Sequence, residues 1–311
     1  LHPNGPHVVY ASYRHDALEL RLLDLTTQQD TVLLRDGAVH VDPRWSPDGT
    51  RLAWVSTSHA GRWHVFVAPF AKGRLGPAER VTEDRDSGLP RYYYSAWDHY
   101  LSPTWSPDGT ELILVSNRDR IWGTGGFWRM PARPGGAMRP LWYEETTWKA
   151  RPDWAPDGRR VVYSSYHGRQ WNQLWLMTAD GGDPFQLTYG EFDATAPRWS
   201  PDGSRIAYIS NEHGNTALTV VDVPGGRRTA VDARTRRYRA PVGLLNVTVV
   251  DPSGASLPVR LSVTDSLGRG YAPDTALRHA DEAFVRVERG FEATYFHARG
   301  TAQVPVRGGS V

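Results

Sequence analysis

The 311-residue chain contains 40% hydrophobic and 23% charged residues, and its formal net charge is +2. These proportions are those of a globular protein and exclude a wholly disordered chain. The nearly balanced charge argues against a nucleic-acid-binding protein. No apolar run reaches the roughly 18 residues that a membrane helix needs. The absence of cysteine excludes disulfides, thiolate metal sites and a cysteine nucleophile.

A repeated Trp-Ser/Ala-Pro-Asp-Gly element organises the first two thirds of the chain. Full copies occupy residues 44–49, 104–109, 153–158 and 198–203, and residues 3–5 are a degenerate copy. The prolines of the five copies are 44, 60, 49 and 45 residues apart. A period of about 40–45 residues is typical of four-stranded propeller blades. We therefore predict an all-β fold in which residues 1–228 form a β-propeller of four-stranded antiparallel blades, five of them visible.

Each copy of the repeat predicts the same local structure. Pro-Asp-Gly is a turn, because Pro fixes φ, Asp bonds nearby amides and Gly accepts a positive φ. A strongly apolar strand follows each full copy, at residues 52–55, 112–115, 161–163 and 206–209. We interpret the repeated Trp as a packing residue between blades, and the repeated Asp as a turn residue rather than a metal ligand.

The candidate binding site lies ahead of the third copy of the repeat. The 60-residue interval exceeds the 45-residue repeat by 15 residues, and the extra segment includes residues 91–100. Loops that lead into an inner strand lie near the central channel, where propellers bind ligands. The predicted ligand-binding residues are Tyr92, Tyr93, Tyr94, Trp97, Asp98, His99, Tyr100, Arg118, Trp148, Arg151 and Asp193. The alternative is a loop that packs its aromatic rings on a neighbouring blade, and the sequence leaves both open.

The last third of the chain has a shorter period. Residues 229–240 are rich in Arg and are predicted to be a solvated linker. Residues 241–311 are predicted to form a small β-sandwich, with strands at 244–250, 259–264, 293–297 and 302–306 and a helix at 274–286. The chain stops just after a Gly-Gly turn, which leaves open whether the sandwich is complete.

Catalytic motifs are missing from the sequence. It contains no G-x-S-x-G element, no H-E-x-x-H element and no Walker loop. His279 and His297, with Asp281 between them, are a candidate metal site, but because they lack close sequence spacing we interpret them as ordinary hydrogen-bonded side chains. We therefore predict no catalytic residue, no metal ligand and no cofactor within these residues.

The Pro-Asp-Gly repeats resemble those of TolB-like propellers. That resemblance implies a six-bladed propeller, so we expect that at least part of another blade lies before Leu1 or is absent. Residues 91–99, 116–118 and 168–171 are similar to the propeller found ahead of TolB-containing amidohydrolases and CehA/McbA-type metallohydrolases. Residues 241–311 resemble the β-sandwiches called carboxypeptidase-regulatory-like.

These resemblances imply a non-catalytic region that binds a ligand or a protein at the channel mouth. The expected setting is the accessory part of a larger metal-dependent amidohydrolase-like protein, with the hydrolase domain after Val311. The alternative is a TolB-like scaffold for protein partners in the bacterial envelope. A periplasmic or secreted location is expected, with a signal peptide upstream of Leu1. Reading the gene past Val311 separates the two functions.

Overall fold

A computed structural model shows an all-β chain. Its described residues contain no helix, and so none that could cross a membrane. They are residues 1–311 without 15–16, 92–94, 124, 145–149, 168–169, 214–215, 232–234, 236–237, 239–240, 266–269, 281–293 and 309–311. They divide into two compact units, one of Leu1–Ser210 with Leu218–Ala230 and the other of Asn211–Ala217 with Val231–Val311.

The first unit contains five antiparallel sheets, and these are the five predicted blades. The first blade has strands β1 (His7–Arg14), β2 (Ala17–Asp24) and β3 (Asp30–Leu34). The second has β4 (His40–Trp45), β5 (Arg51–Ser56), β6 (His64–Ala71), β7 (Arg74–Leu75) and β8 (Glu79–Arg80). The third has β9 (Tyr100–Trp105), β10 (Glu111–Ser116), β11 (Gly126–Pro131) and β12 (Arg139–Trp142). The fourth has β13 (Asp153–Trp154), β14 (Arg160–Ser165), β15 (Gln173–Thr178) and β16 (Phe185–Gln186), and the fifth has β17 (Ala194–Trp199), β18 (Arg205–Ser210), β19 (Ala217–Asp222) and β20 (Arg228–Val231).

Each Pro-Asp-Gly copy forms the turn between the first two strands of its blade. In the second blade Ser46 Oγ donates to Asp48 Oδ1 at 2.5 Å, and Asp48 accepts from the backbone nitrogen of Thr50. Gly49 adopts a φ of 73°, a region that glycine enters without steric cost. The hydrogen bond from Ser46 is the main cause that lowers the pKa of Asp48 to about 2. The repeated Asp is thus a turn residue, as predicted.

The repeated Trp lies between neighbouring blades. The guanidinium of Arg51 in the second blade lies 4.6 Å from the ring of Trp105 in the third, and Arg51 also donates to the carbonyl of Gly109. Arg129 covers Trp154 in the same way, at 4.8 Å, and Arg160 covers Trp199 at 4.7 Å. A cation over an aromatic face contributes about 0.5–2 kcal/mol. These contacts confirm the predicted packing role.

The second strand of a blade is apolar because neighbouring blades cover both of its faces. Strands β5, β10 and β14 are buried at every position after the first. In the fifth blade, β18 alternates between buried and exposed residues, and Ile209 is 37% exposed. The burial pattern of the second strand therefore distinguishes the second, third and fourth blades from the fifth.

The part of the chain after residue 228 differs in three respects from the prediction. Strand β20 of the fifth blade runs through Val231, so it enters the stretch predicted as linker. Residues 258–264 form two short strands, and the first of them pairs with the strand at Thr294–Arg299. A strand at His279–Ala280 lies inside the predicted helix, of which residues 281–286 are outside the described residues. The strands are β21 (Val242–Thr248), β22 (Pro258–Leu261), β23 (Val263–Thr264), β24 (Gly270–Tyr271), β25 (His279–Ala280), β26 (Thr294–Arg299) and β27 (Thr301–Arg307).

Candidate functional site on the top face and in the channel

The inner strands share an unusual backbone feature. In the second to fifth blades, the residue before the proline of the inner segment has a positive φ. Such a φ is rare for residues other than glycine, and proline further restricts the residue that precedes it. Strain of this kind costs about 1–3 kcal/mol and concentrates at functional sites. The four residues are Asp42 (φ 50°), Ser102 (φ 50°), Arg151 (φ 38°) and Ala196 (φ 53°).

Side chains from different blades meet beside these positions. Ser102 Oγ of the third blade donates to Asp42 Oδ2 of the second at 2.9 Å. The guanidinium of Arg151, in the segment that leads into the fourth blade, lies 3.6 Å from Asp42. Arg44 of the second blade lies 3.5 Å from Asp153 of the fourth. Contacts that span three blades identify these residues as lining of the central channel.

Arg198 of the fifth blade completes this lining. Its guanidinium donates to the backbone carbonyls of Arg151 and Pro197. No carboxylate of the described residues lies within 4.0 Å of it. Burial, and then the charge of Arg44, lower the pKa of Arg198 to about 9, so it remains charged at pH 7. The channel residues Asp42, Arg44, Arg151, Asp153 and Arg198 therefore carry three positive and two negative charges, and we name them the channel cluster.

The predicted residues Asp98, His99 and Tyr100 are buried. They lie on the top face, by which we mean the face of the propeller at which the inner strands begin. Asp98 Oδ1 accepts from Arg91 at 2.5 Å, and Asp98 Oδ2 accepts from Arg85 at 3.0 Å. The side chains of Asp98 and Arg91 are 0% and 1% exposed. Tyr100 is 0% exposed and stacks on the ring of His64. These side chains fasten the insertion to the blades.

Other predicted residues are partly exposed. The ring of Trp97 lies 3.8 Å below the guanidinium of Arg62. Arg118 pairs with Glu83 at 3.0 Å. Asp193 accepts from the backbone nitrogen and the side-chain amide of Asn172, each at 2.9 Å. The structure thus brings Arg151 into the channel and leaves the other three in separate contacts. The predicted Tyr92, Tyr93, Tyr94 and Trp148 lie outside the described residues.

A buried acidic group on the top face of the fourth blade is a further candidate. Glu144 is 8% exposed and accepts from the hydroxyls of Tyr163 and Ser165. His167 Nδ1 lies 3.5 Å from the same carboxylate. Burial, and then the charge of Glu144, raise the pKa of the Tyr163 phenol. The position of Glu144 just before an inner strand was visible in the sequence, but its partners were not.

Sequence reasoning missed a cluster of two histidines and an aspartate. His59 Nε2 lies 3.0 Å from Asp84 Oδ2, and His64 Nε2 lies 3.3 Å from Asp84 Oδ1. Arg62 donates to both oxygens of Asp84 and holds the pKa of that carboxyl well below its usual range. Burial lowers the pKa of His64 to about 4, so its ring is neutral at pH 7. We name His59, His64 and Asp84 the histidine cluster.

The metal candidate of the second unit is largely outside the described residues. Asp281 and the side chain of His279 are among the residues that are not described. His297 is described, and its ring packs against Tyr295 with 5.7 Å between the centroids. The interpretation of these histidines therefore stays a prediction.

Comparison with known proteins agrees with the fold. The TolB beta propeller domain matches residues 1–242. The Tol-Pal system protein TolB of Alcanivorax borkumensis is 31% identical over 115 residues, which are 36% of this chain and 23% of that protein. The namesake from Anaeromyxobacter dehalogenans is 28% identical over 135 residues, or 42% and 29% of the two chains. The chain therefore matches less than a third of either relative's length.

Solved structures show the same fold at low sequence identity. The structure of TolB from Acinetobacter baumannii superposes with a TM-score of 0.60 at 16% identity, over 97% of this chain and 66% of that one. A putative TolB from Agrobacterium tumefaciens gives 0.56 at 21% identity, over 73% and 77%. Because the family match covers well over half of the chain, this protein belongs to the TolB beta propeller domain family.

Proposed function

We propose that this propeller is a non-catalytic binding module whose channel receives an anionic group of a protein partner. The anionic group is the carboxylate of an Asp or Glu side chain or of a chain terminus. The observation that carries the proposal is Arg198, a partly buried guanidinium that donates to two backbone carbonyls and has no carboxylate within 4.0 Å among the described residues. A partly buried charge without an opposite charge beside it gains more from a ligand carboxylate than a fully exposed charge does.

The channel cluster supports this assignment in two further ways. Its two carboxylates are already engaged, since Asp42 contacts Ser102 and Arg151, and Asp153 contacts Arg44. The backbone that presents these groups is held in one conformation, with a positive φ at Asp42, Ser102, Arg151 and Ala196. A fixed backbone lowers the entropy lost on binding. The channel therefore presents fixed charged groups that can select an anionic group.

The relatives support a protein partner. Their names place them in a Tol-Pal system, which is an assembly of proteins. We extend that role to this chain, together with the periplasmic or secreted location expected from the sequence. The accessory role ahead of a metal-dependent hydrolase stays a prediction of the sequence resemblance.

An array of immobilised random peptides, probed with the purified chain, tests the proposal. We expect selected peptides to contain Asp or Glu and to bind about tenfold or more weakly when those residues are replaced by Asn or Gln. Arg198→Gln should weaken the selected peptides to a similar extent. Arg205→Gln, which changes an exposed arginine of the same blade, is the matched control and should leave binding unchanged. Equal binding of acidic and neutral peptides, or by the Arg198→Gln variant, contradicts the proposal.

A further inference from the structure

The histidine cluster is a set of metal-ligating side chains outside the channel. His59 follows β5, His64 begins β6, and Asp84 follows β8, so three separate segments of the second blade supply one side chain each. One ligand atom from each of the three lies within 4.8 Å of the other two. We propose that the histidine cluster binds one transition-metal ion of the zinc class on the top face of the second blade.

The distances fit such an ion. A tetrahedral zinc site has ligand bonds of about 2.0–2.2 Å, which puts its ligand atoms roughly 3.4 Å apart. The two contacts of Asp84 measure 3.0 Å to His59 and 3.3 Å to His64. Because these contacts run to different oxygens of Asp84, binding requires the carboxylate to turn one oxygen towards both rings and the two imidazoles to approach one another. The side chain of His59 is 42% exposed, so it is free to make that adjustment.

His64 supplies a second, independent observation. Its side chain is 0% exposed, and the contact of Nε2 with Asp84 Oδ1 at 3.3 Å lacks the geometry of a hydrogen bond. A buried polar atom without a well-formed hydrogen bond is costly, and a metal ion on Nε2 removes that cost. Nδ1 of the same ring lies 3.1 Å from Thr82 Oγ1, which fixes the ring with Nε2 directed at Asp84. Metal-bound histidines are oriented in this way by a hydrogen bond at the other ring nitrogen.

Arg62 is compatible with a metal on Asp84. It donates to Oδ1 at 2.7 Å and to Oδ2 at 2.5 Å, but each carboxylate oxygen has a second lone pair. Ligating carboxylates are commonly held by such outer hydrogen bonds. Hard ions such as Ca²⁺ and Mg²⁺ depend on many oxygen ligands, and this cluster offers a single carboxylate. Two imidazoles and one carboxylate instead favour zinc and its neighbours.

Metal titration of the purified chain, after removal of bound ions with a chelator, tests this assignment. Calorimetry with Zn²⁺, and absorption with Co²⁺ as a coloured substitute, should show one ion per chain in a tetrahedral environment. Substitution of a ligand should weaken binding by about 100-fold or more, since even outer-shell changes cost 10–100-fold. His64→Gln is the test variant, because the fourth blade already carries a glutamine, Gln173, at the corresponding position.

His213→Gln is the matched control, because it removes an exposed histidine outside the cluster. It should bind the ion as the unchanged protein does. Far-ultraviolet circular dichroism and the melting temperature in chelator verify that His64→Gln folds. The assignment is overturned if the unchanged protein binds no ion, or if folded His64→Gln binds it with unchanged affinity.

Discussion

The second and fourth blades hold the connection from the outer strand to the next inner strand by different side-chain contacts. In each blade the chain passes from the outer strand to the next inner strand, and a threonine of this connection accepts a hydrogen bond from the third strand. Thr82 Oγ1 accepts from the backbone nitrogen of Val65 at 3.1 Å, and Thr188 Oγ1 accepts from that of Leu174 at 2.8 Å. Beyond the threonine the two connections diverge, since the first continues to β9 at Tyr100 and the second reaches β17 already at Ala194.

The residue at the start of the third strand also differs between the two blades, and so do the contacts that hold the loop beside it. In the fourth blade Gln173 donates to the carbonyls of Gly190 and Phe192, at 3.1 and 2.6 Å, so a neutral side chain holds a short loop. In the second blade His64 faces Asp84, and the longer loop is held by buried ion pairs of Asp98. In the second blade the insertion therefore replaces neutral hydrogen bonds by charged and titratable groups, and those groups are capable of binding ligands.

The largest expected difference concerns Asp98 and Asp193. Asp98→Asn leaves the buried guanidinium of Arg91 without its carboxylate, and removing one partner of a buried pair costs about 3 kcal/mol or more. Asp193→Asn keeps an oxygen that accepts from Asn172, so we expect a loss below about 1 kcal/mol. Urea unfolding of the two variants measures both losses. Equal losses contradict the view that charge holds only the longer loop.

Removing the threonine hydrogen bond that both blades share should cost a similar free energy of unfolding in each. Thr82→Val and Thr188→Val each leave a buried backbone nitrogen without its acceptor, which costs about 1–2 kcal/mol. Thr82→Val also removes the contact to His64 Nδ1, so its loss should be the slightly larger one. Thermal unfolding of both variants is the measurement. A loss in one blade alone argues that the two connections do not share this element.

The smallest expected effect lies at the opposite ends of the blades, in the Pro-Asp-Gly turns. The hydrogen bond from Ser106 is the main cause that lowers the pKa of Asp108 to about 2, from an ordinary value of 3.8, whereas the fourth blade has Ala155 in place of the serine. A lowered carboxyl pKa gives stability that is present above pH 4 and is lost as the pH falls through 2. Ser106→Ala should therefore destabilise by up to about 1 kcal/mol at pH 6, because solvent screens this exposed turn.

Melting temperatures from pH 6 to pH 2 check the turn. The difference between Ser106→Ala and the unchanged protein should shrink towards pH 2, as Asp108 takes up a proton in both. Ala155→Ser, which supplies the missing hydroxyl, is the reciprocal variant and should not show the same loss. A pH-independent difference contradicts a charge-assisted role for Ser106.

The sequence alone determined the propeller and its blades. Local chemistry repeats there, since each Pro-Asp-Gly copy makes its own turn and the apolar run after it has to be covered on both faces. The same reasoning placed Trp105, Trp154 and Trp199 between blades, because a large ring that recurs in register fills an equivalent space each time.

The candidate site was decided by tertiary structure. Asp98 and His99 share a segment rich in aromatic and charged residues, and only the folded chain shows that Arg91 and Arg85 bury the carboxylate. The channel cluster joins Asp42, Arg151 and Arg198, which lie in three different repeats.

Local sequence patterns could not predict the histidine cluster either. His64 meets Asp84 because the outer strand returns antiparallel to β6 and brings the following loop back to the start of that strand. Aligning the repeats puts His64 opposite Gly126, Gln173 and Ala217, so the position varies from blade to blade and gives no signal of its own. Sequence patterns report contacts that recur with the period of the chain, whereas this site is built from contacts that occur once.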